Sequence, residues 1–165
     1  MKRIGVISDT HGSFEKKFAD FFKDCDEIWH CGDWGDVSVV DKMKAIAPVR
    51  GVYGNIDGQD IRIEYPEFLT FEIEGIRVAI IHIGGYPGRY QQKVRELISW
   101  WRPQIYLSGH SHILKVIYDK KNQLLHINPG AAGNSGFHKV KTAVKFDLIH
   151  KNISNLKVLE VDRKK

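Results

Sequence analysis

The chain has 165 residues, of which 42% are hydrophobic and 27% are charged, and its formal net charge is +5. This composition is typical of a soluble globular protein, and the length predicts one domain over residues 1–165 with a substantial core. No apolar run is long enough to cross a bilayer, and the first strand leaves no room for a signal peptide. We therefore expect no membrane contact and a cytoplasmic location.

The positive charge favours anionic partners, but it is spread along the chain. The only dense basic cluster is Arg163, Lys164 and Lys165, whereas a nucleic-acid groove needs a basic stripe interleaved with aromatic residues. We expect a phosphorylated small molecule as the partner and not a nucleic acid. Cys25 and Cys31 form no C-x-x-C motif, which predicts reduced thiols and argues against a thiolate zinc site.

The first predicted strand delivers polar side chains to its carboxyl end. The run from Ile4 to His11 starts with apolar residues and stops abruptly at Asp9 and His11, which indicates a buried strand of an open α/β sheet. Ser13 is the predicted cap of the helix that follows. That helix carries a core-facing stripe at helical spacing, made of Phe14, Phe18, Phe21 and Phe22.

Two more strands of the first half end in the same way. A strand at 28–31 leads to Asp33, and the short amphipathic helix after it ends before Pro48. A third strand at 49–53 leads to Asn55. The order βαβαβ predicts parallel strands that are joined by right-handed crossovers.

The second half of the chain is predicted to be mostly antiparallel hairpins. A hairpin of strands 68–73 and 77–81 brings His82 to the site, and a helix follows at 90–101. The remaining predicted strands are 105–108, 114–118, 124–127, 142–148 and 156–161. This pattern predicts an α/β fold with two mixed β-sheets packed face to face and flanked by helices, a four-layer αββα sandwich.

The polar strand ends are suited to hold two metal ions for phosphate-ester hydrolysis. Two ions about 3.5 to 4 Å apart neutralise the phosphoryl oxygens and activate a bridging water. Asp33 is placed to bridge them. Asp9, His11 and one further His would complete the ligand set of one ion. Asn55, His82 and another His would complete that of the second. These ligands suit Mn, Zn, Fe, Co or Ni better than Ca or Mg, and we expect manganese first.

These motifs, in this order, resemble those of the calcineurin-like metallophosphoesterase superfamily: Asp9-Thr10-His11, Gly32-Asp33, Gly54-Asn55, His82 and Gly109-His110-Ser111-His112. The small size and Asn128-Pro129-Gly130 are similar to its compact bacterial and archaeal phosphodiesterases. The resemblance implies the αββα fold and a dinuclear site. It implies a first ion held by Asp9, His11, Asp33 and His112, and a second held by Asp33, Asn55, His82 and His110.

One position departs from the family pattern. Larger members have a His after Gly-Asn, and that His is taken as the general acid that protonates the leaving group. Ile56 occupies this position, and an isoleucine cannot donate a proton. This favours substrates with low-pKa leaving groups or a substitute acid. We hypothesise that His138 approaches the substrate as that acid, with an ordinary surface His as the alternative.

The sequence therefore predicts a metal-dependent phosphodiesterase, in which a hydroxide that bridges the two ions attacks a small phosphodiester. The alternative is a non-catalytic metal-binding scaffold for protein interactions, similar to the retromer subunit of this fold. Every ligand position still carries a competent ligand, which favours the enzyme. A nuclease ranks third because the chain lacks a basic groove.

Several neighbouring residues receive supporting roles. Asp36 and Asp57 are predicted to orient ligands or cap helices, and His30 to lie in the core or behind the ligands. The loop 84–88 is a candidate phosphate-facing wall, because glycine allows close backbone approach. Trp29, Trp100 and Trp101 are predicted in the core, and Trp34 and Tyr86 are candidates for the cleft wall.

Overall fold

The computed structural model describes residues 1–163, and within them ten strands form two mixed five-stranded sheets. Lys164 and Lys165 of the basic cluster lie outside the described residues. The first sheet has the order β10-β9-β1-β2-β3, with β1 (Lys2–Ile7), β2 (Glu27–His30), β3 (Val49–Gly51), β9 (Val140–Ile149) and β10 (Asn152–Asp162). The second has the order β4-β5-β6-β8-β7, with β4 (Phe68–Ile73), β5 (Ile76–Ile81), β6 (Ile105–Leu107), β7 (Leu114–Asp119) and β8 (Leu124–Pro129).

Each sheet has a parallel centre and antiparallel edges. In the first sheet β1 pairs in parallel with β2, and β2 with β3, while β9 pairs antiparallel with β1. In the second sheet β5, β6 and β8 are parallel, and β4 and β7 flank them antiparallel. The carboxyl ends of the parallel strands therefore meet at one edge of each sheet, where open α/β sheets carry their functional loops.

The largest apolar cluster lies between the two sheets. Ile4 and Val6 of the first sheet share it with Val78 and Ile80 of the second, and Trp29 packs there edge-on against the ring of Phe71. Burial on this scale provides the main driving force for the packing of the sheets. This shared cluster confirms the predicted face-to-face arrangement of the two sheets.

Helices cover the outer faces of both sheets. In the first sheet, α1 (Lys16–Phe22) and α2 (Val37–Lys44) bury apolar side chains over Ile7 and Ile28. In the second, α4 (Gln92–Trp101) packs Val94 and Ile98 against Tyr106. A short helix, α3 (Gln59–Glu64), lies after β3. The predicted four-layer αββα sandwich is therefore confirmed.

Close packing of α1 on β1 explains why a glycine lies in the middle of that strand. A Cβ on Gly5 would come within 2.4 Å of the ring of Phe22, and within 3.3 Å of Cys25 Sγ. Any larger residue would push the helix away from the sheet, because protein interiors have no spare volume.

Both cysteines of the chain are buried and free.

Some local predictions were wrong. The first helix begins after Glu15, and Ser13 instead donates its backbone N–H to the carbonyl of Thr10 in a turn. Trp100 is 59% exposed because it lies on the outward face of α4. Trp34 is fully buried between the rings of His30 and Tyr65, and so does not line a cleft. No helix within residues 1–163 has both the length and the apolar character to span a membrane.

Candidate metal centre

The predicted ligands come together at the carboxyl edges of the two sheets. The loops after β1, β2 and β3 carry Asp9, Asp33 and Asn55, respectively. The loops after β5 and β6 carry His82 and His110 from the second sheet. Because the sheets pack face to face with these edges aligned, residues far apart in sequence meet at one place.

The ligand atoms form two clusters, in each of which they all lie within 4.8 Å of one another. The first ligand cluster consists of Asp9, His11 and His112, and the second contains Asp33, His82 and His110. Asn55 joins the second cluster, since its Oδ1 lies 3.1 Å from His82 Nε2 and 3.2 Å from His110 Nδ1. A mixed set of imidazole, carboxylate and amide donors fits a divalent transition-metal ion.

One carboxylate oxygen of Asp33 lies between the two clusters. Asp33 Oδ2 is 3.6 Å from His11 Nε2 of the first cluster and 3.2 Å from His82 Nε2 of the second. Asp9 Oδ1 also faces both sides, at 3.8 Å from His82 Nε2 and 3.2 Å from His112 Nε2. The two clusters are therefore adjacent, and Asp33 is at the position expected of a bridging ligand.

Two buried polar atoms of the first cluster have no hydrogen-bond partner among the described residues. They are Asp9 Oδ1 and His11 Nε2. The other oxygen of Asp9 is occupied, since Oδ2 accepts hydrogen bonds from Ser8 Oγ at 2.6 Å and from the His110 backbone N–H at 3.1 Å. An unpaired buried polar atom costs about 1–3 kcal/mol. A cation between Asp9 and His11 would satisfy both atoms, so the residues present fit a metal ion.

Most of the clustered ligands have a left-handed backbone. The φ angles are +52° at Asp9, +46° at His11, +60° at Asp33, +71° at His110 and +64° at His112. Non-glycine residues rarely adopt this conformation, and such strain concentrates at functional sites. Glycine would relieve the strain but would remove the side chain that the site uses.

Hydrogen bonds fix the orientation of the imidazoles. His82 Nδ1 donates to the carbonyl of Cys31 at 2.7 Å, which leaves the Nε2 lone pair facing the cluster. His138 Nε2 donates to the carbonyl of Gly133 at 2.8 Å, so that its Nδ1 can accept from His112 Nδ1 at 3.3 Å. This leaves His112 Nε2 free toward Asp9. Second-layer acceptors of this kind set the tautomer of metal-binding histidines.

Charge within the clusters shifts the ionisation of their members. The pKa of His11 is raised by the neighbouring Asp9 carboxylate. Burial opposes charge on His82, but the Asp33 and Asp9 carboxylates outweigh it and raise the pKa of His82. Burial alone would raise the pKa of Asp9, yet the adjacent imidazoles of His11 and His112 hold it well below its usual range. The clusters are therefore built around buried negative charge.

Asp57 holds the loops of the first sheet together. Its Oδ2 accepts backbone N–H groups of Asp33 at 2.9 Å and of Gly54 at 2.8 Å, and Oδ1 accepts that of Gly35 at 3.0 Å. The loops approach so closely that a Cβ on Gly54 would lie 2.0 Å from Asp33 Oδ1. These contacts agree with the predicted orienting role of Asp57. The side chain of Ile56 is 48% exposed, while its backbone N–H donates to Asp33 Oδ1.

His30 is a supporting residue behind the first-sheet loops. It is fully buried, its Nε2 lies 3.0 Å from Thr10 Oγ1, and its Nδ1 accepts the Gly32 backbone N–H at 3.0 Å. Burial lowers the pKa of His30 to about 3. A neutral His30 thus connects the loop after β1 to the loop after β2. This agrees with the predicted position of His30 in the core or behind the ligands.

One cavity of the structure lies away from both ligand clusters. It has a volume of about 720 Å³ and is lined by Arg77 and Gln104, among others. Arg77 lies at the start of β5 and Gln104 directly before β6. The cavity is therefore at the amino edge of the second sheet. The candidate ligands and the smaller cavities beside them lie at the opposite edge.

The fold and the two ligand clusters define a metallophosphoesterase. The sequence matches the calcineurin-like phosphoesterase superfamily domain over residues 1–151. A probable metallophosphoesterase of Methanothermobacter thermautotrophicus is 35% identical over 133 residues, which cover 78% of this chain and 76% of that protein. The chain belongs to the calcineurin-like phosphoesterase superfamily, whose members are hydrolases that use divalent metals.

Solved structures agree with this assignment. A structure described as that of a novel archaeal phosphodiesterase is similar with a TM-score of 0.76 and 25% identity, over 96% of this chain and 99% of that one. Vps29 from Entamoeba histolytica, in a single-mutant form, has a TM-score of 0.77 and 16% identity, over 97% and 98% of the two chains. The likeness to Vps29 shows a shared fold only.

Proposed function

We propose that this protein is a phosphodiesterase that hydrolyses small phosphodiesters with two divalent metal ions, manganese first. The observation that carries the proposal is the position of Asp33 Oδ2, within 3.6 Å of His11 Nε2 and 3.2 Å of His82 Nε2. Ions bound there would neutralise the phosphoryl oxygens and lower the pKa of water, so that a nucleophile is available at neutral pH. In this proposal, all seven predicted ligands hold the roles that the family resemblance implies.

The leaving group needs a proton donor, and the two positions considered for one are poorly suited to that role. Ile56 cannot protonate it, and both ring nitrogens of His138 are engaged, one with Gly133 and the other with His112. We therefore propose that His138 orients His112, while its role as the general acid remains a hypothesis. The enzyme should accordingly prefer esters with low-pKa leaving groups such as nitrophenolate.

The test is metal analysis of the purified chain, combined with hydrolysis of bis(p-nitrophenyl) phosphate. We expect about two equivalents of divalent metal per chain, and turnover that disappears with a chelator and returns with manganese. Assays with p-nitrophenyl phosphate measure monoester activity in parallel. A metal-loaded protein that is inert toward both esters would overturn the proposal and favour the scaffold function.

The partner, the domain organisation and the location belong to the same proposal. We propose a small phosphate ester as the partner, in preference to nucleic acid, and a single domain over residues 1–165. The cytoplasmic location also remains a prediction. Fractionation of the native host with an antibody against the chain tests the location.

A further inference from the structure

Two cavities flank the second ligand cluster, one on each side. The wide cleft has a volume of about 360 Å³ and is lined by Asn55 and His82. The narrow cleft has a volume of about 170 Å³ and is lined by His110. Ile83 and Gln91 line both, so that they form a wall between the two. A group bound at this cluster therefore has two separate spaces beside it.

The wide cleft combines an aromatic ring with cationic side chains. The Arg62 guanidinium lies 4.3 Å from the centre of the Tyr53 ring, and its Nε donates to the carbonyl of Asp57 at 2.6 Å. Lys93 forms an ion pair with Glu67 at the rim. The volume is within the usual range of small-molecule sites, about 300–1,000 Å³. This cleft is large enough for a group that contains a ring.

The narrow cleft is kept small by its backbone. A Cβ on Gly84 would lie 2.1 Å from Tyr106 Oη, so the loop of predicted phosphate-facing glycines packs directly on the second sheet. On the other side, Tyr86 is covered by Lys115, whose Nζ lies 3.5 Å from the ring centre. The cleft's volume of about 170 Å³ is below the usual range of small-molecule sites, about 300–1,000 Å³, so the arm that fits there is short.

Asn55 of the second ligand cluster lies between the residues that line the two clefts. Its Oδ1 lies between His82 Nε2 and His110 Nδ1, at 3.1 and 3.2 Å. His82 faces the wide cleft and His110 the narrow one. A phosphorus atom at this cluster would therefore have one space on each side. A phosphomonoester has one ester arm to place there, whereas a phosphodiester has two.

We propose that the substrate is an asymmetric phosphodiester, with a ring-bearing arm in the wide cleft and a short arm in the narrow cleft. This inference rests on the proposed phosphodiesterase function and specifies the substrate class. Tyr86 limits the size of the second arm, and Lys93 lies where the ring-bearing arm enters. Neither residue belongs to a ligand cluster, so both can be changed without altering the metal ligands.

The first measurement compares two esters with the same leaving group, bis(p-nitrophenyl) phosphate and methyl p-nitrophenyl phosphate. In Tyr86→Ala, the ratio of kcat/KM for the former to that for the latter should rise about tenfold, because the narrow cleft opens. Lys93→Trp should lower kcat/KM for both esters, since both carry a ring. Tyr118→Ala, which removes an exposed tyrosine outside both clefts, is the matched control and should leave the ratio unchanged.

Binding provides a second measurement that does not depend on turnover. Diphenylphosphinate and methylphenylphosphinate contain no ester bond, and calorimetric titration gives the Kd of each with the metal-loaded protein. The wild type should bind methylphenylphosphinate more tightly, and Tyr86→Ala should remove that preference. Hydrolysis of both esters with ratios and Kd values unaffected by either substitution would overturn the two-cleft inference alone. Absence of any diester hydrolysis by the metal-loaded wild type would overturn the proposed function itself.

Discussion

The two sheets supply different chemistry to the metal centre and secure it in different ways. The first sheet contributes the carboxylates of Asp9 and Asp33, which are fixed by hydroxyl and backbone N–H donors. The second sheet contributes imidazoles, and His82 and His112 are oriented by acceptors on their far nitrogens. The carboxylates therefore come from the first sheet alone, which also supplies His11 and Asn55, whereas the second sheet supplies only imidazoles. From this comparison we expect substitutions on the first sheet to reduce activity or stability more than substitutions on the second.

Removal of the shared carboxylate should have the largest effect. Asp33→Asn leaves an amide where two adjacent ions need one negative charge, so we expect kcat/KM for bis(p-nitrophenyl) phosphate to fall by about three orders of magnitude. Metal content should fall with it. Asp60→Asn changes an exposed carboxylate of helix α3 and serves as the control. An Asp33→Asn protein that retains both ions and its turnover would refute the bridging role.

The next effect concerns the support of the first-sheet loops. In Asp57→Asn, an amide group replaces one oxygen of a carboxylate that accepts several backbone N–H groups. We expect the free energy of unfolding of the metal-free protein to fall by about 3 kcal/mol. Urea unfolding measures this loss, with Asp41→Asn, an exposed residue of helix α2, as the control. A midpoint equal to that of the control would show that Asp57 does not hold these loops.

A smaller effect is expected for the support of His112 on the second sheet. His138→Ala removes the acceptor for His112 Nδ1, so metal affinity should fall by about 10–100-fold. At saturating metal, turnover should depend on leaving-group pKa as it does in the wild type. A general acid would give a different result, since its loss would steepen that dependence. His150→Ala, in an exposed turn, is the control.

Measured per pH unit, the smallest effect is a pH dependence of stability that involves the second sheet. Burial lowers the pKa of His126 to about 4, from an ordinary value near 6.5. The unfolded chain therefore takes up a proton first as the pH falls, so stability is lost between about pH 6.5 and 4, at up to about 1.4 kcal/mol per pH unit. His126→Gln should flatten the stability curve of the metal-free protein in that range. Equal slopes in the two proteins would contradict this assignment.

The positions of the candidate ligands could be predicted from the sequence because a simple rule places them. Parallel strands align their carboxyl ends, so polar residues after β1, β2 and β5 had to meet once the strands were recognised. The fold followed from the same order of strands and helices. Asp57 was also recognisable, because it lies two residues after Asn55 in a loop that must turn tightly.

Other features depend on tertiary packing that no local pattern carries. The contact between His112 and His138 joins residues 26 positions apart. Trp34 is apolar in a polar loop, and only the stacked rings of His30 and Tyr65 show why it is buried. Helix α3 is short and mostly polar, so its sequence has no clear hydrophobic periodicity. The clefts are enclosed by side chains from several elements and could not be predicted.

The hydrogen bond from His82 to the carbonyl of Cys31 crosses from one sheet to the other. Through it, a candidate ligand of the second sheet is held by the backbone two residues before Asp33 of the first. The distance between the sheets and the affinity for metal are therefore coupled. Substitutions deep in the interface, far from any ligand, should weaken metal binding, and bound metal should in return stabilise the folded protein by mass action.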